Sequence, residues 1–75
     1  MEGLSFDYSK LKGRIIEKFR TLGNFAPVMD WTLVTQQKKM HNRVPWTQRD
    51  IMTACKALDI SIDAIPEYFF VIKVV

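Results

Sequence analysis

TLGNFAPVMDWTLVTQQKKMHNRVPW, residues 21–46, contains two helix starts and one break between them. Thr21 and Thr32 each precede a helical pattern and can cap it, because the side-chain oxygen accepts a backbone N–H left without a partner in the first turn. A helix begun at Thr21 turns Phe25, Val28 and Met29 inward, with Ala26 small enough for another helix to pass close. Pro27 interrupts it: inside a helix, proline removes a donor and costs about 3 kcal/mol. A shortened or kinked second helix is therefore expected. Asp30 and Trp31 form the turn, with Trp31 as a core anchor. Thr32 then caps a third helix over Leu33 to Met40. Its one late apolar anchor is Met40, while Gln36, Gln37, Lys38 and Lys39 are polar. So polar a helix stays folded only by lying across its neighbours, which leaves its outer face free.

On the N-terminal side, Met1 to Ser5 reads as a loose tail. Tyr8, Leu11, Ile15 and Phe19, widened by Ile16, then recur at helical spacing and predict a first helix from Tyr8 to Arg20. On the C-terminal side, Asn42 to Pro45 form a loop. Thr47 with Asp50 makes a capping-box start for a fourth helix, whose inward residues are Ile51, Cys55 and Leu58 and which Asp59 ends. Ile60, Ile62 and Ile65 alternate toward Pro66, which opens a short terminal helical turn. FFVIKVV, residues 69–75, is β-branched and aromatic and predicts a strand. With no partner expected in its own chain, that strand either pairs with a second copy as a two-fold dimer through Phe69, Phe70, Val71, Ile72 and Val74, or packs flat on the helices, or frays. The fold class is all-α: one compact five-helix domain with a short C-terminal β-strand.

A chain of 75 residues holds one domain with a thin core, since at this size only roughly 60% of the unfolded surface is buried. Apolar residues at 48% and charged residues at 25% exclude the disordered class. The single Cys55 excludes an internal disulfide. No charged-then-apolar leader and no run of about 18 apolar residues is visible, so a cytoplasmic protein without a membrane partner is expected. The net charge of +3 is unevenly spread. Lys10, Lys12, Arg14, Lys18 and Arg20 are set against Glu17 alone, and Trp31 through Arg49 contains no acid, whereas Asp50, Asp59, Asp63 and Glu67 dominate the last third. A basic front and an acidic back would orient the domain on a polyanion, although such cations can equally be solvating helix faces.

Catalytic readings find little support. His41 has no Cys, His or paired carboxylate at ligand spacing, so no metal is expected. Asp59 and Asp63 straddle a helix end. Cys55 lacks a histidine base and lies on an apolar stripe. No glycine-rich phosphate loop exists among Gly3, Gly13 and Gly23. The expectation is a binding protein without enzyme activity, cofactor or small-molecule substrate.

Two short helices around a tight turn, the second polar and followed by basic residues, are how a small protein reads the DNA major groove. FDYSKLKGRIIEKF (residues 6–19), VPWTQRDI (residues 44–51), ACKALDI (residues 54–60) and IPEYFF (residues 65–70), in this order, resemble the small Cro-like helix-turn-helix regulators of phages and prophages of Gram-positive bacteria, the XRE and Cro/CI group. The resemblance covers Phe6 to Val75. It implies a dimeric binder of double-stranded operator DNA controlling a lysis–lysogeny or similar switch, with the third helix in the major groove. Thr32, Leu33, Val34, Gln37 and Lys38 are then the candidates for base contact: Gln37 for adenine, Lys38 for guanine, Leu33 and Val34 for thymine methyls. Lys39, His41, Asn42 and Arg43, with the backbone near Thr21 and Leu22, are the phosphate candidates. Three positions depart from the family pattern. Pro27 is one; Asp30 stands where glycine is usual, and Gln36 where an aliphatic residue is usual. A buried glutamine without partners costs on the order of 1 to 3 kcal/mol, and these changes leave operator readout open. The alternative is an antirepressor-like module that uses the same fold and the FFVIKVV edge to capture another regulator. Steep loss of affinity with salt would mark the DNA binder.

Overall fold

Side-chain caps set most of the helix starts in the computed structural model, which describes residues 5–73. Helix α1, Ser9–Phe19, begins where the Ser9 N–H donates to Asp7 Oδ1 at 2.8 Å. Helix α2, Leu22–Phe25, is capped by Thr21, whose hydroxyl accepts the Asn24 N–H at 3.1 Å. It stops after four residues, ahead of Pro27, so the proline never enters a helix interior. Residues 26–30 instead make successive turns, closed by Asp30 N–H to the Pro27 carbonyl at 3.1 Å and Trp31 N–H to the Ala26 carbonyl at 3.2 Å. Asp30 takes a left-handed backbone at φ 59°, a conformation aspartate tolerates better than most side chains.

Helix α3, Leu33–Met40, is capped by Thr32, which accepts the Thr35 N–H at 3.1 Å. Helix α4, Gln48–Leu58, opens on a complete capping box: Thr47 Oγ1 accepts the Asp50 N–H at 3.0 Å and Asp50 Oδ2 accepts the Thr47 N–H at 2.9 Å. It ends on Asp59 in the left-handed region at φ 56°. There the Arg14 guanidinium donates to the Leu58 carbonyl at 2.9 Å and the Asp59 carbonyl at 3.3 Å, satisfying acceptors that the helix end leaves open. A 3-10 turn over Ile62–Ala64 leads into α5, Ile65–Phe69, with Pro66 in its first turn.

Five α-helices and no sheet make up the described residues. α1 packs on α2, α4 and α5 around a core of Tyr8, Leu11, Ile15, Phe25, Met29, Ala54, Cys55, Leu58, Ile60 and Phe69. Of the residues expected inward, Phe19, Trp31, Met40 and Ile51 are half-buried against this core, and two others are exposed. Ile16 is 42% exposed, so the buried stripe of α1 is narrower than its apolar spacing. Val28 is 43% exposed because the helix that would have turned it inward ends at Phe25. Among the described residues, no helix is long and apolar enough to cross a membrane.

The C-terminal strand is also corrected. Phe69 belongs to α5 and is buried, with its ring 5.1 Å from that of Trp46. Beyond it, among the described residues, only Ile72 pairs, in an isolated antiparallel bridge to Phe6 of the same chain. Asp7 N–H donates to the Val71 carbonyl at 2.7 Å and Lys73 N–H to the Ser5 carbonyl at 2.9 Å. The segment therefore has a partner in its own chain, because Ser5, expected to end a loose tail, runs beside it together with Phe6 and Asp7. Met1 to Leu4 and Val74 fall outside the described residues.

Phe25 is fully buried and stacks 5.5 Å from Phe19 at the α1–α2 junction. Phe25→Ala should cost about 3 to 5 kcal/mol, a large share of the ~5–15 kcal/mol available to a domain. The check is the midpoint of urea unfolding.

Candidate interaction site

The orientation of α3 follows from which residues it buries. Gln36 is 1% exposed and Lys39 is 8% exposed, and Met40 beside them is half-buried against the core. Spacings of three and four residues put these on one face and turn Val34, Gln37, Lys38 and His41 to the other. A buried polar face holds only if its groups are partnered. Gln36 Nε2 donates to the Leu22 carbonyl at 2.6 Å, tying α3 to α2, and Gln36 Oε1 accepts the Trp31 indole N–H at 3.1 Å. Gln36 is thus a satisfied joint between the two helices.

Lys39 makes the corresponding joint to α4. Its ammonium forms an ion pair with Asp50 and lies 4.8 Å from the centre of the Trp31 ring, while its backbone carbonyl accepts the Trp46 indole N–H at 3.3 Å. Burial pushes the Asp50 carboxyl up, but the hydrogen bonds from Lys39 and Thr47 and the Lys39 charge outweigh it and hold the group below its ordinary value. Trp31 packs edge-on to Trp46 at 5.3 Å, so this polar joint sits beside an aromatic wall.

The five candidates for base contact, Thr32, Leu33, Val34, Gln37 and Lys38, are all exposed; Leu33 is at 49% and Val34 at 63%. Val34, Gln37, Lys38, His41 and Arg43 line one open groove of about 600 Å³ along α3. Gln37 Oε1 lies 3.2 Å from His41 Nε2, and the Arg43 N–H donates to the Lys38 carbonyl at 2.8 Å, fixing the loop end beside the helix.

The phosphate candidates divide differently. His41 and Arg43 are exposed on this groove. Lys39 is withdrawn, since its charge is spent on Asp50 and Trp31 inside the fold. Asn42 is also committed: at φ 63° its side chain accepts the Phe6 N–H at 2.8 Å and donates to the Phe6 carbonyl at 3.0 Å, as a neighbouring strand would. Thr21 is exposed, but its hydroxyl is used as the α2 cap, and Leu22, whose N–H was the candidate donor, is half-buried. With four residues, α2 gathers little dipole for an anion. Conversely, Val28 was missed. It is an exposed aliphatic side chain in the turn before α3, and the signal for it was Pro27, which ends the preceding helix.

Of the dimer candidates, Phe69 is buried in the core, whereas Phe70, Val71 and Ile72 are 50%, 42% and 55% exposed. Cys55 is buried, and burial raises its thiol pKa, which suits packing rather than nucleophilic attack.

These features define a class: a small all-helical domain whose third helix is bolted inward through polar side chains and presents a mixed apolar and basic outer face. The chain belongs to the family described as "Protein of unknown function (DUF739)", which it matches over residues 4–71. It is similar in structure to the modulator of repression (MOR) of the temperate bacteriophage TP901-1 from Lactococcus lactis, with 39% identity and a TM-score of 0.79 over 88% of this chain and 89% of that one. No curated protein matches it.

Two measurements test the joints. Gln36→Leu should destabilise the fold by about 2 kcal/mol despite adding apolar volume, because it strands the Trp31 indole N–H and the Leu22 carbonyl. Asp50→Asn should cost about 3 kcal/mol by leaving Lys39 buried without its counter-charge. Because the Asp50 pKa is depressed on folding, its contribution is present above the unfolded value of about 3.9 and is lost as pH falls through the folded one. Urea midpoints of the wild type should fall in that acid range, and those of Asp50→Asn should fall less.

Proposed function

We propose that the chain is a phage or prophage regulator that modulates repression by binding another regulatory protein through the exposed face of α3, in the bacterial cytoplasm and without a catalytic step or cofactor. The observation that carries this reading is the exposure of two consecutive aliphatic residues in the first turn of α3, Leu33 and Val34, together with the withdrawal of Lys39 from the surface. Exposed aliphatic side chains grouped with a polar rim suit a protein interface. A surface that loses a cation to the core is weakened as a phosphate binder. The similarity to a modulator of repression supports the same direction.

A second reading is supported by the groove itself. Lys38, His41 and Arg43 gather there with no acid between Trp31 and Arg49. A Cro/CI-like helix-turn-helix regulator would place this face in the major groove, with Gln37 and Lys38 reading bases. Dimerisation, which such a regulator needs, would use the outer edge of residues 71–73. The bridge to Phe6 bonds Val71 and Lys73 and leaves the Ile72 amide and carbonyl facing away from it.

Selection of duplexes from a random-sequence pool, run beside titration of the purified repressor of the same phage switch, separates the two. The expected outcome is repressor binding that Val34→Glu weakens at least tenfold, with no enriched duplex. Enrichment of an inverted repeat with half-sites about one helical turn apart would instead establish the operator binder.

A further inference from the structure

We infer that the surface this face receives is an acidic amphipathic helix of the partner, with an apolar side chain laid on Val34 and carboxylates one turn away against Lys38 and Arg43. The inference rests on the protein-directed reading above and adds the chemistry of the partner to it. Val34, Lys38 and His41 follow one another at spacings of four and three residues, so they form a single stripe along α3. The groove they line with Gln37 and Arg43 is apolar at the Val34 end and cationic at the other. Lys38 and Arg43 form no ion pair among the described residues, whose salt bridges use Lys10, Arg14 and Lys39. No acid lies on α3 or in the loop after it.

An occupant of this groove covers Val34, 63% exposed, and also supplies negative charge about one helical turn away. A helix does both, because side chains three or four residues apart sit on one ridge and such a ridge packs along a groove between side chains of the facing helix. A nucleic acid supplies the charge through its backbone but offers Val34 only a thymine methyl. Complementary charges at the rim of the contact act mainly on association rate and salt dependence.

The test uses the full chain against the purified repressor of the same switch, at about 50 and 300 mM salt, between which the screening length falls by a factor of about 2.4. Three forms are compared: wild type, Lys38→Glu with Arg43→Glu, and Val34→Glu. These positions are exposed, and urea midpoints verify that each form is folded. Expected is a tenfold or greater loss for the double charge reversal at low salt, with the salt dependence abolished, and protection from hydrogen exchange of a carboxylate-bearing helix in the repressor. Binding that survives charge reversal unchanged, or tightens, while Val34→Glu destroys it, overturns the acidic helix and leaves the protein-directed reading standing. Protection confined to a non-helical segment of the repressor does the same. Absence of repressor binding by the wild type at both salts overturns that reading and the inference together.

Discussion

Two polar side chains, Gln36 and Lys39, hold the third helix in place, and everything the domain offers to a partner depends on how they are satisfied. An apolar helix face can slide or rotate a little on its neighbours at small cost, because burial has no direction. Hydrogen bonds and ion pairs are directional, and a buried polar group left unpaired costs more than a paired one contributes. Gln36 must meet both the Leu22 carbonyl and the Trp31 indole, and Lys39 must meet Asp50. Together they leave α3 one rotation about its axis. The outward stripe of Val34, Lys38 and His41 is the complement of that inward constraint.

Asp50 links the joint to the rest of the molecule. The same carboxylate that neutralises Lys39 accepts the Thr47 N–H in the capping box, so the start of α4 and the anchoring of α3 share one group. The aromatic side of the domain is coupled in a similar way. Trp46 touches Trp31, Tyr8 and Phe69, with ring centres 5.1 to 6.0 Å apart, and its indole N–H ends on the Lys39 carbonyl. Asn42, just past the end of α3, clamps the backbone of Phe6, and Phe6 in turn carries Ile72. The loop that presents Arg43 is thereby held from both sides in a fold too small to hold it by core volume alone.

The balance of charge and apolar surface on α3 is what separates the functional readings. Recognition helices for DNA and for proteins share the need for a rigid, bare face; they differ in how much uncompensated positive charge surrounds it. In this chain, one of the two consecutive lysines of α3 is turned inward and neutralised, while aliphatic side chains occupy its exposed first turn. The basic count of the segment in sequence therefore overstates the charge that a partner meets.

Much of the fold was legible because it is encoded locally. Thr21, Thr32 and Thr47 mark helix starts by chemistry within three residues of themselves, Pro27 ends a helix wherever the chain goes next, and the spacing of Tyr8, Leu11 and Ile15 needs no partner to be recognised. The exposed positions of α3 followed in the same way from helical geometry and Met40. Tertiary structure alone decided the rest. Whether Lys39 points outward or inward depends on a carboxylate eleven residues away, at Asp50. Whether Asn42 serves phosphate or backbone depends on Phe6, 36 residues away, and the partner of Ile72 is that same N-terminal segment. Helical periodicity assigns a residue to a face, but the pairing of polar groups across the fold is set by which segments meet, and no local pattern carries that information.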